Sequence, residues 1–218
     1  MKISWISRIR KRWIFNLYQI RLFLMPKHKK RLFIDCGSNL GQGFSFFRKY
    51  FPCEYYNYIL LEPNPNCASA LREKYQNIDN LEIIESAVWI DDGHMNLFGL
   101  VEDGRGTQSD GASIIENHNN AFYNSNASKA TKVQTIDFAR LLKEKANFDQ
   151  IIVKMDIESS EYDVLEKLID EELLDKIDFM FIEFHSQYMA KDTKHSIEER
   201  EQKIKKHLNG KHKLYIWH

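Results

Sequence analysis

The stretch Arg31-Leu32-Phe33-Ile34-Asp35-Cys36-Gly37-Ser38-Asn39-Leu40-Gly41 reads as one short strand running into a tight turn. The apolar run ends in Asp35, and Gly37 follows. Glycine lets a backbone turn sharply and approach a ligand closely. Beyond Gly41, the residues Phe44, Phe46, Phe47 and Tyr50 fit a helix over 41–50. A strand, a glycine turn and a helix make the first half of a βαβ unit.

The same alternation continues downstream. Tyr58–Leu61 is predicted as the second strand, closed by Glu62-Pro63-Asn64-Pro65, and 67–75 as a helix. Leu81–Trp89 is predicted as one continuous third strand, with a turn at Gly93 and a β-ribbon over Met95–Val101. A helix is expected over Thr135–Lys145, from Ile136, Ala139 and Leu142 at helical spacing. Strands at Gln150–Ile157, Lys176–His185 and Lys213–Trp217 then alternate with helices at Ser160–Ile169 and His195–Leu208. This rhythm predicts an α/β fold, a mostly parallel sheet with helices on both faces. The stretch from Glu102 to Lys132 interrupts it with Gly, Ser and Asn. So long a connection reads as a functional loop or lid.

Composition narrows the class. The chain has 218 residues, 43% hydrophobic and 28% charged, with 9 Gly and 4 Pro, which excludes a disordered or collagen-like chain. Three cysteines without a Cys-x-x-Cys pair argue against a disulfide framework and against a Cys-based zinc site. A reducing, cytoplasmic location is the expectation. The net charge of zero hides an asymmetry: ten of the 31 basic residues and none of the 31 acidic ones fall within residues 1–31, leaving 21 basic against 31 acidic in the rest. An acidic body argues against a broad nucleic-acid surface. Residues 1–30 are predicted as a basic amphipathic helix, with Ile6, Ile9, Trp13, Leu17, Ile20 and Leu24 in phase and Pro26 as the stop. Its apolar run is too short and too charged to span a bilayer. It suits docking on the acidic body or on a second copy, peripheral contact with anionic lipid through residues 1–25, or an organelle address. Residues 31–218 form the domain.

Ligands of an open α/β sheet bind beyond the carboxyl ends of the strands. Four polar clusters are predicted there. The first is the turn Asp35, Gly37, Ser38, Asn39, Gly41. Asp35 places a negative charge where a dehydrogenase seats a pyrophosphate, so the turn favours a cationic or neutral ligand. S-adenosylmethionine (SAM) carries an ammonium and a sulfonium. The second cluster is Glu62 with Pro63, where an acid can accept both hydrogen bonds of a ribose diol. The third is Ser86 and Ala87, small enough to leave room for a flat adenine. The fourth joins Lys154-Met155-Asp156-Ile157-Glu158 to Ile182-Glu183-Phe184-His185.

Together these stretches resemble the FkbM-type SAM-dependent methyltransferases. The matching residues are FIDCGSNLG (33–41), LEPNP (61–65), SAVW (86–89), VQTID (133–137), IIVKMDIESSEYDVLEKL (151–168) and FIEFH (181–185). The resemblance implies a class I methyltransferase fold, Rossmann-like, and O-methylation of sugars, glycans or natural products. It implies that Asp35, Gly37, Asn39 and Gly41 line the methionine end of SAM, that Glu62 holds the ribose, and that Ser86 and Ala87 lie by the adenine. The family pattern reads Asp-Ile-Glu-Gly where this chain has Ser159. A side chain there costs about 1 kcal/mol if the position needs a positive φ. A seven-stranded sheet of this class would need one strand more than the pattern supplies.

A sulfonium methyl is already electrophilic, so the protein must place a hydroxyl in line and take its proton. His185 and Asp156 are the candidate catalytic residues. Glu158 and Glu183 could join them around Mg²⁺ or Mn²⁺, but the reading does not need a metal and assigns none. His118 reaches the site only if its loop folds over it. The alternatives are a non-catalytic scaffold of the same fold and an NAD-dependent dehydrogenase. Against the latter, Gly37, Gly41 and Gly43 have the wrong spacing for the dinucleotide fingerprint.

Overall fold

A computed structural model describes residues 29–101, 107–119, 124–211 and 213–216. The basic helix predicted for residues 1–30 lies almost wholly outside them. The strands are β1 (Arg31–Cys36), β2 (Asn57–Leu61), β3 (Leu81–Ile84), β4 (Ala87–Trp89), β5 (Gly93–Leu97), β6 (Thr131–Asp137), β7 (Gln150–Met155), β8 (Phe179–Ile182) and β9 (Lys213–Ile216). The helices are α1 (Gln42–Phe47), α2 (Pro65–Lys74), α3 (Phe138–Glu144), α4 (Glu161–Asp170) and α5 (Lys191–Lys211).

Six strands form one sheet in the order β3-β2-β1-β7-β8-β9, and every neighbouring pair is parallel. Both faces are covered, as an all-parallel sheet requires. Alternation along the strands decides which side chain goes where. Leu32, Ile34, Val153, Met155 and Ile182 pack on one face with Phe138, Leu165 and Leu208 from α3, α4 and α5. Phe33, Tyr58, Leu60, Ile152 and Phe181 pack on the other with α1 and with Leu71 of α2. That second face is aromatic: the Phe33 ring lies 5.4 Å from those of Phe47 and Phe51, and Phe47 lies 4.7 Å from Phe181. Among the described residues, no helix is long and apolar enough to cross a membrane.

The fold class and the mostly parallel sheet agree with the sequence reading, but two elements differ. The predicted strand Leu81–Trp89 is two strands. At Glu85-Ser86 the chain turns, with Ser86 N donating to Ile84 O (3.0 Å), and leaves the main sheet. Ala87–Trp89 then pairs with β6 in a second sheet, β4-β6-β5. The helix expected from Thr135 starts only at Phe138. Thr131–Asp137 is a strand whose Val133 and Thr135 are buried while Lys132 and Gln134 are exposed. The period of two over that segment outweighs the helical spacing of Ile136, Ala139 and Leu142, and the Asp137 carboxylate caps the helix by accepting from Arg140 N. The predicted ribbon takes the form of β5 paired antiparallel with β6.

Candidate active site

From β1 the chain winds outward to β2 and β3, and later to β7, β8 and β9 on the other side. The sheet therefore switches direction between β1 and β7, where ligand crevices form. A cavity of about 450 Å³ opens there. Gly37, Ser38, Asn39, Glu62 and Pro63 line one part of it, Ala87 and Val88 another, and Lys154, Asp156 and Glu158 a third.

The Gly37 turn is set by contacts between backbones. Gly37 has φ 75°, and a Cβ there would sit 1.8 Å from the Asp156 carbonyl oxygen. Its N–H and that of Ser38 donate to Leu61 O, so the turn is tied to β2 on one side and pressed on β7 on the other. Gly41 (φ 78°) does not line the cavity. A Cβ there would meet the Tyr75 ring, whose hydroxyl donates to the Gly41 carbonyl.

Glu62 is buried, and both of its oxygens are used: Oε2 accepts from Asn39 N (2.7 Å) and Oε1 from Asn64 N (2.9 Å). Burial nevertheless pushes its carboxyl up to about 7, against those two bonds. Ser86 is buried but, unlike Ala87, does not line the cavity.

Asp35 does not line it either. It is fully buried, and the Lys154 ammonium lies 3.1 Å from its Oδ1. Burial raises the Asp35 carboxyl, and Lys154 offsets part of that rise. Lys154 also approaches Asp156 Oδ2 at 3.3 Å and donates to Gly37 O at 2.7 Å. Burial opposes its charge, but Asp156 and Asp35 outweigh burial and hold it ionised. Asp35 thus acts on the cavity through Lys154, whose role the sequence reading did not assign. The available signal was a lysine inside the apolar run Ile-Ile-Val-Lys-Met, since lysine is rarely buried unpaired.

The ends of β7 and β8 bring Asp156, Glu158 and His185 together, each offering one ligand atom within 4.8 Å of the others; the group does not include Glu183. His185 is buried, with Nδ1 2.9 Å from Glu161 Oε1 and Nε2 3.5 Å from Asp156 and 3.6 Å from Glu158. Burial disfavours its charge, but Glu161, Glu158 and Asp156 overcome this and raise the imidazole to about 10. Burial pushes Glu158 up to about 8. Glu161 opens α4, is fully buried and also accepts from Ile157 N. The sequence reading missed it, because an acid in the first turn of a helix already has a reason to be there.

Residues 107–119 of the polar stretch fold over the crevice. Asn39 Nδ2 donates to Ser109 O and Asn64 Nδ2 to Thr107 O, while Asp110, Ala112 and Ile114 line the cavity. Ser113 Oγ bonds the Glu158 carbonyl. His118 is buried; its Nδ1 lies 2.8 Å from Ser159 Oγ and its Nε2 3.4 Å from Glu158. Burial and then His185 push it down to about 3, so it is neutral.

Ser159 has φ 78° and Glu158 φ 51°, so the serine carries the strain expected for a side chain at that position. Ser159→Gly removes about 1 kcal/mol of strain and loses the hydroxyl's two hydrogen bonds, with His118 Nδ1 and to the His185 carbonyl, together of similar worth. The expected result is a melting temperature within a few degrees of the parent and faster amide exchange over residues 113–119, read by mass spectrometry. Unchanged exchange would show that the serine does not hold the loop.

No curated protein and no solved structure matches the chain. The model of the methyltransferase FkbM domain matches residues 35–209. That match begins at Asp35 under the crevice and takes in both the strand ends that line it and most of α5, and on it the chain belongs to the FkbM family of methyltransferases.

Proposed function

We propose that the chain is a SAM-dependent O-methyltransferase acting on a hydroxyl of a sugar, glycan or natural-product acceptor. The observation that carries this is the charge of the cavity. Four acids, Glu62, Asp110, Asp156 and Glu158, line it, and among the described residues Lys154 is its one lining cation, already paired with Asp35 and Asp156. Such a crevice suits a cationic nucleoside and repels a pyrophosphate. Its volume is within the usual range for small-ligand pockets. Glu62 would hold the ribose, Pro63, Ala87 and Val88 would flank the adenine, and Ser38 and Asn39 would meet the methionine end. When bound, SAM supplies a methyl group on a sulfonium. The chain's own task is to aim the acceptor hydroxyl and take its proton. His185 already carries a proton at neutral pH, so that role falls to Asp156, steadied by Lys154 and His185.

Two experiments test the reading. Mass spectrometry of acceptor pools incubated with methyl-labelled SAM looks for methylated products without a prior choice of acceptor. Calorimetry with SAM and with NAD compares donors; binding of NAD alone would overturn the proposal, and binding of neither by the folded chain would favour a scaffold. Glu62 also sets a pH dependence. With its carboxyl at about 7, the ionised form that accepts the ribose hydroxyls is full at pH 8 and about one-tenth populated at pH 6. SAM affinity should therefore fall about tenfold from pH 8 to pH 6. Glu62→Gln should flatten that slope and weaken binding at pH 8.

A further inference from the structure

We infer that Asp156, Glu158 and His185 form a divalent-cation site at the β7 and β8 end of the crevice. Three observations carry it. The first is spacing. His185 Nε2 stands 3.5 Å and 3.6 Å from a carboxylate oxygen of Asp156 and of Glu158, too long for hydrogen bonds. Neighbouring ligands bound about 2.1–2.4 Å from one ion lie about 3.0–3.5 Å apart, close to both of these separations.

The second is the orientation of the imidazole. Its Nδ1 faces Glu161 Oε1 at 2.9 Å, and that same oxygen accepts from Ile157 N, so Glu161 is held in place on the helix side. Nδ1 therefore keeps its hydrogen, and Nε2, which faces the two carboxylates, gives up its proton when an ion binds there. A histidine backed by a carboxylate in this way is the arrangement that fixes metal-binding imidazoles. Glu161 is fully buried, and its Oε2 accepts no hydrogen bond among the described residues.

The third is access. Asp156 and Glu158 both line the cavity, so an ion there has open positions facing it. Two carboxylates and one imidazole suit Mn²⁺ or Mg²⁺ more than a thiophilic ion. The ion's presence does not depend on the methyl-transfer reading. Its use does: it would favour acceptors with adjacent oxygen donors.

The experiment is Mn²⁺ titration of the full-length, EDTA-stripped protein, followed by electron paramagnetic resonance and calorimetry without SAM. One saturable site is expected. Asp156→Asn and Glu158→Gln should each weaken it at least tenfold, and Glu161→Gln, acting through His185, should weaken it about 10–100-fold. Because Glu161 is fully buried, the folding of Glu161→Gln is checked by circular dichroism. Its histidine ¹⁵N shifts should also show a changed proton distribution on His185, which a purely structural role would not produce. Glu198→Gln on the exposed face of α5 is the control. Failure of the wild type to bind Mn²⁺ or Zn²⁺ up to about 1 mM, a very weak affinity, would overturn the proposal even if SAM binds. So would binding that none of the three variants weakens. Saturable Mn²⁺ binding without SAM binding would support the site and count against the methyl-transfer reading.

Discussion

Lys154→Met is expected to destabilise the chain by about 3–5 kcal/mol at pH 8, the usual consequence of removing one partner from a buried ion pair. Lys154 and Asp35 are 3% and 0% exposed at the side chain, so water cannot replace the lost ammonium. Asp35 must then either stay charged in an apolar site or take up a proton. Burial already raises its carboxyl, and losing Lys154 raises it further. A carboxyl raised in the folded state contributes stability that is present below its unfolded value and lost as pH rises through its folded value. The deficit of Lys154→Met should therefore be larger at pH 8 than at pH 5. Adding Asp35→Asn removes the stranded charge and should recover much of the loss at pH 8. Urea unfolding of the parent, both single variants and the double variant at the two pH values measures the coupling. A double variant no more stable than Lys154→Met would show that Asp35 is not what Lys154 neutralises.

This pair also shows where reading along the chain stops. Asp35 and Lys154 are 119 positions apart in sequence and directly opposed in the β1–β7 register. Each is legible alone as a charge at the end of a strand. Their pairing exists only once the strand order and the register are known, because cross-strand neighbours are set by pairing and not by spacing. The same holds for His185 and Glu161, which meet across the end of β8 and the start of α4. The main sheet was legible because a strand buried on both faces shows as a short apolar run, as at Ile151-Ile152-Val153. The second sheet was not, since β4 and β6 are short or half exposed and their sequences also satisfy neighbouring elements. The crevice residues were found through the strand ends. Which of them face the cavity depended on packing, and so Glu62 lines it while Asp35 stands behind Lys154.

The second large effect belongs to Gly37. In Gly37→Ala the new methyl carbon would overlap the Asp156 carbonyl oxygen at 1.8 Å and the carbonyl carbon at 2.9 Å. The obstacle is backbone, so no rotamer change relieves it. The conformation at φ 75° adds about 1–2 kcal/mol for any residue with a Cβ. Relief requires the ends of β1 and β7 to separate, which breaks the Asp156 N to Cys36 O hydrogen bond and moves both halves of the crevice. We expect a loss of at least about 3 kcal/mol, or no soluble protein. Gly43→Ala is the informative contrast. A Cβ there meets nothing closer than Lys154 Cε at 3.5 Å, and alanine favours a helix over glycine by up to about 1 kcal/mol. That variant should be as stable as the parent or slightly more so. Gly43 also lines the cavity, so the added methyl group narrows it beside Lys154 and should weaken SAM binding. Thermal unfolding together with SAM calorimetry separates the two. If Gly37→Ala folded normally and lost only SAM affinity, the turn would serve the ligand and not the sheet, and the close approach of β1 to β7 would not be what demands a glycine at position 37.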